Sequence, residues 1–286
     1  MRATATFPYC LIDVFTDAPL AGNPLAVVHD ADGLDDATML ALARETRLSE
    51  TAFVQRASAG GASYRNLIWT VSGEIPFAGH PSLGVAVAVA LRRGEHAARY
   101  VQQTRAGLQE VTVERRGGRA RASVLQEPAR FGDEVAAGPL AAALGLGERD
   151  GHRELRPQRV STGLPTIVVP LGGAGAQPDW SALERLGPVN VYAFALDGST
   201  ARVRARCFPS PQGEGEDAAT GSAAGALMAY LHRWTGRNRL DIRQGEEMGR
   251  PSRLTARVER HRVRVSGDAV VLVTGEIRLP APRRRQ

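Results

Sequence analysis

The sequence contains no lysine, since all 36 basic residues among its 286 are arginine. Pyridoxal phosphate enzymes and Schiff-base aldolases need a lysine amine, and a Walker A loop needs a lysine that contacts phosphate. The absence of lysine therefore excludes these three classes of protein.

Cysteine is scarce as well, with Cys10 in "YCLIDVF" and Cys207 in "RARCF" as the two examples. Both stretches are strand-like, and the two residues are neither close in sequence nor part of a CxxC pattern. We expect two buried free thiols rather than a disulfide or a nucleophile.

Long apolar runs are also absent, because none reaches the roughly 20 residues that a membrane span needs. The segment from Met1 to Tyr9 lacks the basic start and apolar run of a signal peptide. We expect a cytoplasmic protein that does not associate with membranes.

Three ligand classes lack their usual motifs. The six histidines show no metal-ligand spacing such as HExxH, and the glycine clusters do not match the dinucleotide fingerprint. The net charge of +6 is spread along the chain and interleaved with acids, except in a basic tail at 282–286 that we interpret as solvated. We expect no metal, no cofactor and no nucleic-acid partner.

Short β-like runs dominate the chain, and the sequence predicts strands at 9–16, 23–30, 51–57, 64–70, 109–116, 119–125, 165–171, 189–196, 201–208, 254–265 and 269–279. Three further stretches favour helices. One is Asp35 to Thr46, with Asp35 or Asp36 as its cap. The other two, Pro81 to Arg93 and Ala223 to Trp234, are apolar on nearly every face, which is typical of helices buried inside a protein.

The two apolar helices repeat one organisation: a strand, a polar turn, a glycine and then a helix of small residues. Gly79 and Gly221 lie 142 positions apart, close to half the chain. This spacing indicates an internal duplication. We predict an N-terminal domain at 1–128 and a C-terminal domain at 129–286, with the last strand able to return to the first domain.

The start of each apolar helix is a candidate binding site. "AGHPS" and "ATGSA" place glycine where the first N–H groups of a helix lack partners and the helix dipole favours an anion. Two such helix starts facing a cleft between the domains would bind a small carboxylate-bearing molecule. The alternative is that these residues only form tight turns and caps.

Four motifs resemble, in order and spacing, the PhzF-like family of phenazine-biosynthesis isomerases: "LIDVFTDAPLAGNPLAVV", "RLSETAFV", "PFAGHPSLG" and "GEDAATGSAAGAL". The resemblance implies an α+β, diaminopimelate epimerase-like fold with two similar domains, each a mixed, barrel-like β-sheet wrapped around a central apolar helix. It also implies an active site in the cleft between the domains, and a homodimer.

Carried over to this chain, the resemblance places the catalytic glutamate at Glu50, with His80 and Asp217 as polar catalytic partners. It assigns substrate binding to Gly79, Gly221 and Ser222. From the residues alone, Glu50 could instead be a capping or surface glutamate, His80 a hydrogen-bonded turn residue and Asp217 an N-cap.

The chain departs from its relatives in three places. The cysteine pair of the epimerases is missing from both helix starts, which argues against a two-thiol racemase. Ala218 stands where the family usually has proline, and "TVSGEIPF" differs in the loop before the first helix start. These two changes leave the identity of the substrate open.

The predicted function is a cofactor-independent isomerase that moves a proton between carbons of a small amino or hydroxy acid, similar to trans-2,3-dihydro-3-hydroxyanthranilate isomerase. Glu50 would act as general base and acid, a role that partial burial of a carboxylate favours. The alternative is a non-catalytic small-acid binding protein that uses the same cleft.

Overall fold

The computed structural model describes residues 3–173, 175–198, 201–210 and 215–281, so the basic tail at 282–286 lies outside the described residues. The helices are α1 (Asp36–Thr46), α2 (Gly79–Arg92), α3 (Ala137–Ala143), α4 (Trp180–Glu184) and α5 (Gly221–Thr235), with one 3-10 turn at Glu148–Asp150. The strands are β1 (Thr4–Val14), β2 (Asn23–Val28), β3 (Glu50–Gln55), β4 (Tyr64–Thr70), β5 (Gly73–Ile75), β6 (Ala97–Thr104), β7 (Gly107–Arg116), β8 (Arg119–Leu125), β9 (Arg130–Glu134), β10 (Gln158–Ser161), β11 (Pro165–Leu171), β12 (Val189–Leu196), β13 (Arg202–Ser210), β14 (Arg239–Gln244), β15 (Ser252–Glu259) and β16 (Arg262–Pro280).

The chain forms two compact units, one comprising 1–124 with 267–286 and the other comprising 125–266. The long strand β16 passes from the second unit into the first, because its residues 269–280 pair with β1. The division after residue 124 lies close to the domain boundary predicted after residue 128.

The first unit is a closed ring of eight strands in the order β1, β2, β3, β4, β6, β7, β8 and β16, and β16 pairs back onto β1. Strands β2 and β3 are parallel, as are β4 and β6. The pairs β1–β2, β3–β4, β6–β7, β7–β8 and β1–β16 are antiparallel. A parallel pair needs a crossover connection, and α1 and α2 supply the two crossovers.

The second unit repeats this pairing pattern. The successive strand pairs from β10 to β16 are antiparallel, parallel, antiparallel, parallel, antiparallel and antiparallel. The strand pairs from β1 to β8, with β5 left aside, follow the same order. Helices α4 and α5 occupy the crossovers that α1 and α2 occupy in the first unit. The predicted fold class, two similar mixed-sheet units each around an apolar helix, is confirmed.

The two central helices are α2 and α5. Every residue of α2 from Gly79 to Ala90 is buried, and so is every residue of α5 from Gly221 to Leu231. Both helices begin two residues before their predicted starts at Pro81 and Ala223. The buried part of each helix is shorter than predicted, and Trp234, the predicted end of α5, is 48% exposed. Among the described residues, no helix has both the length and the apolar character to cross a membrane.

Glycines let each central helix approach its sheet closely. A Cβ at Gly84 of α2 would lie 2.6 Å from Leu25 Cδ2. A Cβ at Gly225 of α5 would lie 1.6 Å from Gln126 Oε1 and 2.9 Å from Thr162 Oγ1. Neither helix position has room for a larger side chain in this packing.

Sequence patterns missed five strands, namely β5, β6, β9, β10 and β14, and the short helix α4. In β14, "RLDIRQ", charged residues that are exposed or partly exposed alternate with buried ones. The cap of α1 was predicted correctly, because Asp35 is the N-cap and accepts a hydrogen bond of 2.8 Å from the Thr38 amide.

We predict that Gly225→Ala lowers the free energy of unfolding by about 2 kcal/mol, even though alanine favours a helix over glycine. The added methyl group would displace Gln126 from its 2.8 Å hydrogen bond to the Gly221 carbonyl. Urea unfolding followed by circular dichroism measures the change. Gly118→Ala is the control, because nothing lies within 4 Å of its Cβ position, and equal midpoints for the two variants would contradict the packing described.

Candidate active site

Glu50 stands at an edge where two parallel strands of the first unit begin. Asn23 is the first residue of β2, Glu50 is the first residue of β3, and Leu25 is the register partner of Glu50. The side chain of Glu50 is 15% exposed. Glu50 is therefore neither a helix cap nor a surface glutamate.

His80 is the second residue of α2, and its side chain is 3% exposed. Its Nε2 atom lies 3.5 Å from Glu50 Oε2. On the other side of the ring, Nδ1 lies 3.2 Å from Asn23 Nδ2, within hydrogen-bonding distance. The fold thus brings Glu50 and His80 together across 30 residues of sequence.

Burial lowers the pKa of His80 from 6.5 to about 3, and a hydrogen bond with the backbone carbonyl of Pro24 offsets only part of this shift. The imidazole is therefore neutral near pH 7. The 3.5 Å contact with Glu50 is therefore a polar contact between a carboxylate and an uncharged imidazole, and not an ion pair.

The start of α2 offers backbone donors beside these side chains. Its N-cap is Ala78, whose methyl group cannot accept a hydrogen bond. Pro81 has no N–H, so Gly79 and His80 carry the first-turn amides that have no partner inside the helix. The helix dipole favours an anion at this place, and binding of an anion here stays a prediction.

In the second unit, Asp217 lies three residues before the N-cap of α5. The N-cap is Thr220, and its Oγ1 donates a hydrogen bond of 2.5 Å to Asp217 Oδ2. The alternative that Asp217 itself caps the helix is wrong. Glu216, its neighbour, forms a bidentate ion pair with Arg206 at 2.7 and 2.8 Å.

Gln244, at the end of β14, holds the segment that carries Asp217. Its Nε2 donates to the Asp217 carbonyl at 2.8 Å and contacts Thr220 Oγ1 at 3.0 Å. Its Oε1 accepts from the Thr220 amide at 3.2 Å and from the Tyr192 hydroxyl at 2.9 Å. Since Gln244 is 1% exposed, these bonds satisfy an otherwise costly buried amide.

Gly221 and Ser222 open α5 and are buried. Their carbonyls are held by side chains of the same unit, with Gln126 Nε2 at 2.8 Å from the Gly221 oxygen and Thr162 Oγ1 at 3.3 Å from the Ser222 oxygen. Their amides belong to the first turn and have no partner inside the helix. The predicted cleft that would unite these residues with Glu50 and His80 stays a prediction.

The family model described as phenazine biosynthesis-like protein (PhzC-PhzF) matches residues 12–275. The chain belongs to this PhzF family. It is 38% identical to trans-2,3-dihydro-3-hydroxyanthranilate isomerase of Pseudomonas chlororaphis, over 94% of this chain and 98% of that protein. This likeness confirms the predicted enzyme class, an isomerase of the PhzF type.

Two solved structures are similar along almost the whole chain. One, described as a predicted epimerase from Pseudomonas aeruginosa, has a TM-score of 0.82 and 34% identity, and covers 95% of this chain and 99% of its own. The other, a PhzF family protein of Bacillus anthracis, has a TM-score of 0.81 and 25% identity, with 96% and 99% covered.

Both cysteines of this PhzF-type isomerase are free and buried, as predicted. Burial raises the pKa of the Cys10 thiol to about 12, and the pKa of Cys207 is raised well above its ordinary value, mainly by burial. Neither thiol is a ready thiolate at neutral pH. Within the described residues, no three His, Cys, Asp or Glu side chains are grouped as a metal site would need.

Sequence reasoning missed two polar residues that support the site, Asn23 and Gln244. Asn23 lies inside the first family motif and is 0% exposed. Its signal is a polar side chain directly before a proline at the start of an apolar strand. Gln244 carries no comparable signal, because its importance comes from contacts 24 and 27 residues away.

We predict that His80 makes the PhzF-type isomerase less stable in acid. Below pH 6.5 the unfolded chain binds a proton at His80, whereas the folded chain does so only near pH 3, so stability is lost as pH falls between these values. Between about pH 8 and pH 5, the free energy of unfolding of the wild type should fall by about 2 kcal/mol more than that of His80→Gln.

Urea unfolding at several pH values measures this difference. The value at about pH 8 serves as the internal reference, because His80 is neutral there in both states. Parallel stability curves for the two proteins would show that His80 is not held neutral by the fold.

Proposed function

We propose that this PhzF-type isomerase moves a proton between two carbons of a small amino or hydroxy acid, with Glu50 as the general base and acid and without a cofactor. The observation that carries the proposal is the position of Glu50, whose largely buried carboxylate lies 3.5 Å from the neutral ring of His80. Trans-2,3-dihydro-3-hydroxyanthranilate is the first substrate to test, since a relative at 38% identity is named as the isomerase of this compound.

The proposed step needs one carboxylate and a site for developing negative charge. Glu50 removes a proton from one carbon, and the electrons of the broken C–H bond form an enol-like system. The protonated Glu50 then returns the proton to another carbon on the same face. Partial exclusion of water favours such transfers, and backbone amides stabilise the oxygen on which charge develops.

The first-turn amides of Gly79 and His80 suit a carboxylate or enol-like oxygen of the substrate. In the second unit we propose the same use for the amides of Gly221 and Ser222. Asp217 would orient a substrate amine or hydroxyl, and its carboxylate is held for this by Thr220 at 2.5 Å. His80, with its neutral ring beside Glu50, would orient the substrate.

We predict that Glu50→Gln lowers turnover by at least about a hundredfold, because the amide keeps the shape of the side chain but cannot accept a proton. Ligand affinity and folding should change little. Proton NMR in heavy water, with a panel of small cyclic and linear amino and hydroxy acids, measures both isomerisation and deuterium incorporation. Glu114→Gln, at an exposed position of β7, is the matched control.

Variants of the other two side chains separate their roles from that of Glu50. His80→Ala and Asp217→Ala should weaken ligand binding as well as turnover. If Glu50→Gln stays active on a substrate that Asp217→Ala cannot turn over, Asp217 is the base and the assignment is inverted. If every variant incorporates deuterium like the wild type, the proposed site is wrong.

The alternative of a non-catalytic small-acid binding protein is tested in the same heavy-water experiment. A protein that only binds would retain the ligand without exchanging its carbon-bound protons. The likeness to isomerases over 94% of the chain favours the enzyme.

We also propose that the protein is a cytoplasmic homodimer, on the basis of its family. We predict that light scattering at micromolar concentration returns a mass near twice 30.5 kDa. A mass near 30.5 kDa at that concentration would contradict the dimer.

A further inference from the structure

Asn23 lies between Ser49 and His80 in the first unit, and it is 0% exposed. Its Oδ1 lies 3.4 Å from Ser49 Oγ, which donates towards it, and its Nδ2 lies 3.2 Å from His80 Nδ1. The amide thus turns its oxygen to the serine hydroxyl and its NH₂ group to the imidazole.

The contact with Asn23 decides where the proton of His80 resides. A neutral imidazole has one N–H donor and one acceptor nitrogen. In the amide orientation of this structure the NH₂ group faces Nδ1, which makes Nδ1 the acceptor and leaves the proton on Nε2. Nε2 lies 3.5 Å from Glu50 Oε2, a polar contact that is longer than an ordinary hydrogen bond.

We propose that Asn23 is a positioning residue that holds His80 as the Nε2–H tautomer, so that the ring donates towards the Glu50 carboxylate. An ionised carboxylate only accepts hydrogen bonds, so the other tautomer would turn a lone pair of Nε2 towards the lone pairs of Glu50. The Pro24 carbonyl also hydrogen-bonds the ring and, as an acceptor, needs a ring N–H. The Asn23 amide selects between these two states.

The backbone before Asn23 holds the amide in place. Gly22 has a φ of +68°, and a Cβ there would lie 2.3 Å from the Val14 carbonyl oxygen. Asp13, near the end of β1, accepts a hydrogen bond of 2.7 Å at Oδ2 from the Leu20 amide of the loop that follows. A loop closed so tightly allows Asn23 little freedom to turn away from His80.

Nitrogen-15 NMR of the full chain with labelled histidine rings tests the proposal without a substrate. His80→Gln identifies the His80 signals by their loss. We expect the wild type to show a protonated Nε2 and an unprotonated Nδ1 at neutral pH. A protonated Nδ1 in the wild type would overturn the proposal.

Two variants extend the test. Asn23→Asp replaces the donor by an acceptor at the same place and should move the proton to Nδ1, and Asn23→Leu removes the donor. The control, Asn66→Leu, removes another buried asparagine of the first unit, which bonds Gln102 at 3.2 Å, and should leave the His80 tautomer unchanged. If Asn23→Leu does not fold, Asn23→Asp still decides, and an Nε2–H ring in a folded Asn23→Asp would overturn the proposal.

The kinetic arm rests on the proposed role of Glu50. In both Asn23 variants, kcat should fall roughly ten- to hundredfold while KM changes less than about threefold, because only the positioning of a reacting group is lost. Unchanged kcat would overturn the positioning role. If instead Glu50→Gln keeps full activity while His80 is the Nε2–H tautomer, the proposed function fails and the role of Asn23 in selecting the tautomer stands.

Discussion

The packing of both units depends on one constraint, that a helix apolar on every face must be enclosed. The residues of α2 from Gly79 to Ala90 are all buried, and the sheet of the first unit closes into a ring of eight strands. Enclosing the helix also buries its amino end, where backbone N–H groups lack partners inside the helix. Ala78 and Pro81 add no capping acceptor and no further amide, so the first turn presents Gly79 and His80 as donors.

Burial at that end changes the chemistry of the side chains that reach it. His80 loses its charge because hydration of the imidazolium is lost, and its ring then needs a defined donor and acceptor. Asn23 Nδ2 lies 3.2 Å from His80 Nδ1, and Glu50 Oε2 lies 3.5 Å from His80 Nε2. Parallel pairing of β2 with β3 brings Asn23 and Glu50 to the same edge, so one topological feature places both partners of the ring.

The two units share a pairing pattern but fill their helix starts with different side chains. In the first unit Gly84 packs against the apolar Leu25, whereas in the second Gly225 packs against Gln126 and Thr162. The polar pair in the second unit binds the carbonyls at the start of α5. The two units therefore share the close packing of a central helix at a glycine, whereas the residues around that glycine differ between them.

The sequence by itself determined the two central helices, a cap at Asp35 or Asp36, the two free thiols, most of the long strands and, through four motifs, the family and the candidate residues. These features depend on local periodicity or on short segments that carry their own signal. Only the tertiary structure decided the five strands with weak apolar patterns, the neutral state of His80 and the partners of Asn23 and Gln244. The reason is physical, because a polar segment becomes a strand only when neighbouring strands pair with it. The contact of Asn23 with His80 joins residues 57 positions apart, and no local sequence pattern records such a contact.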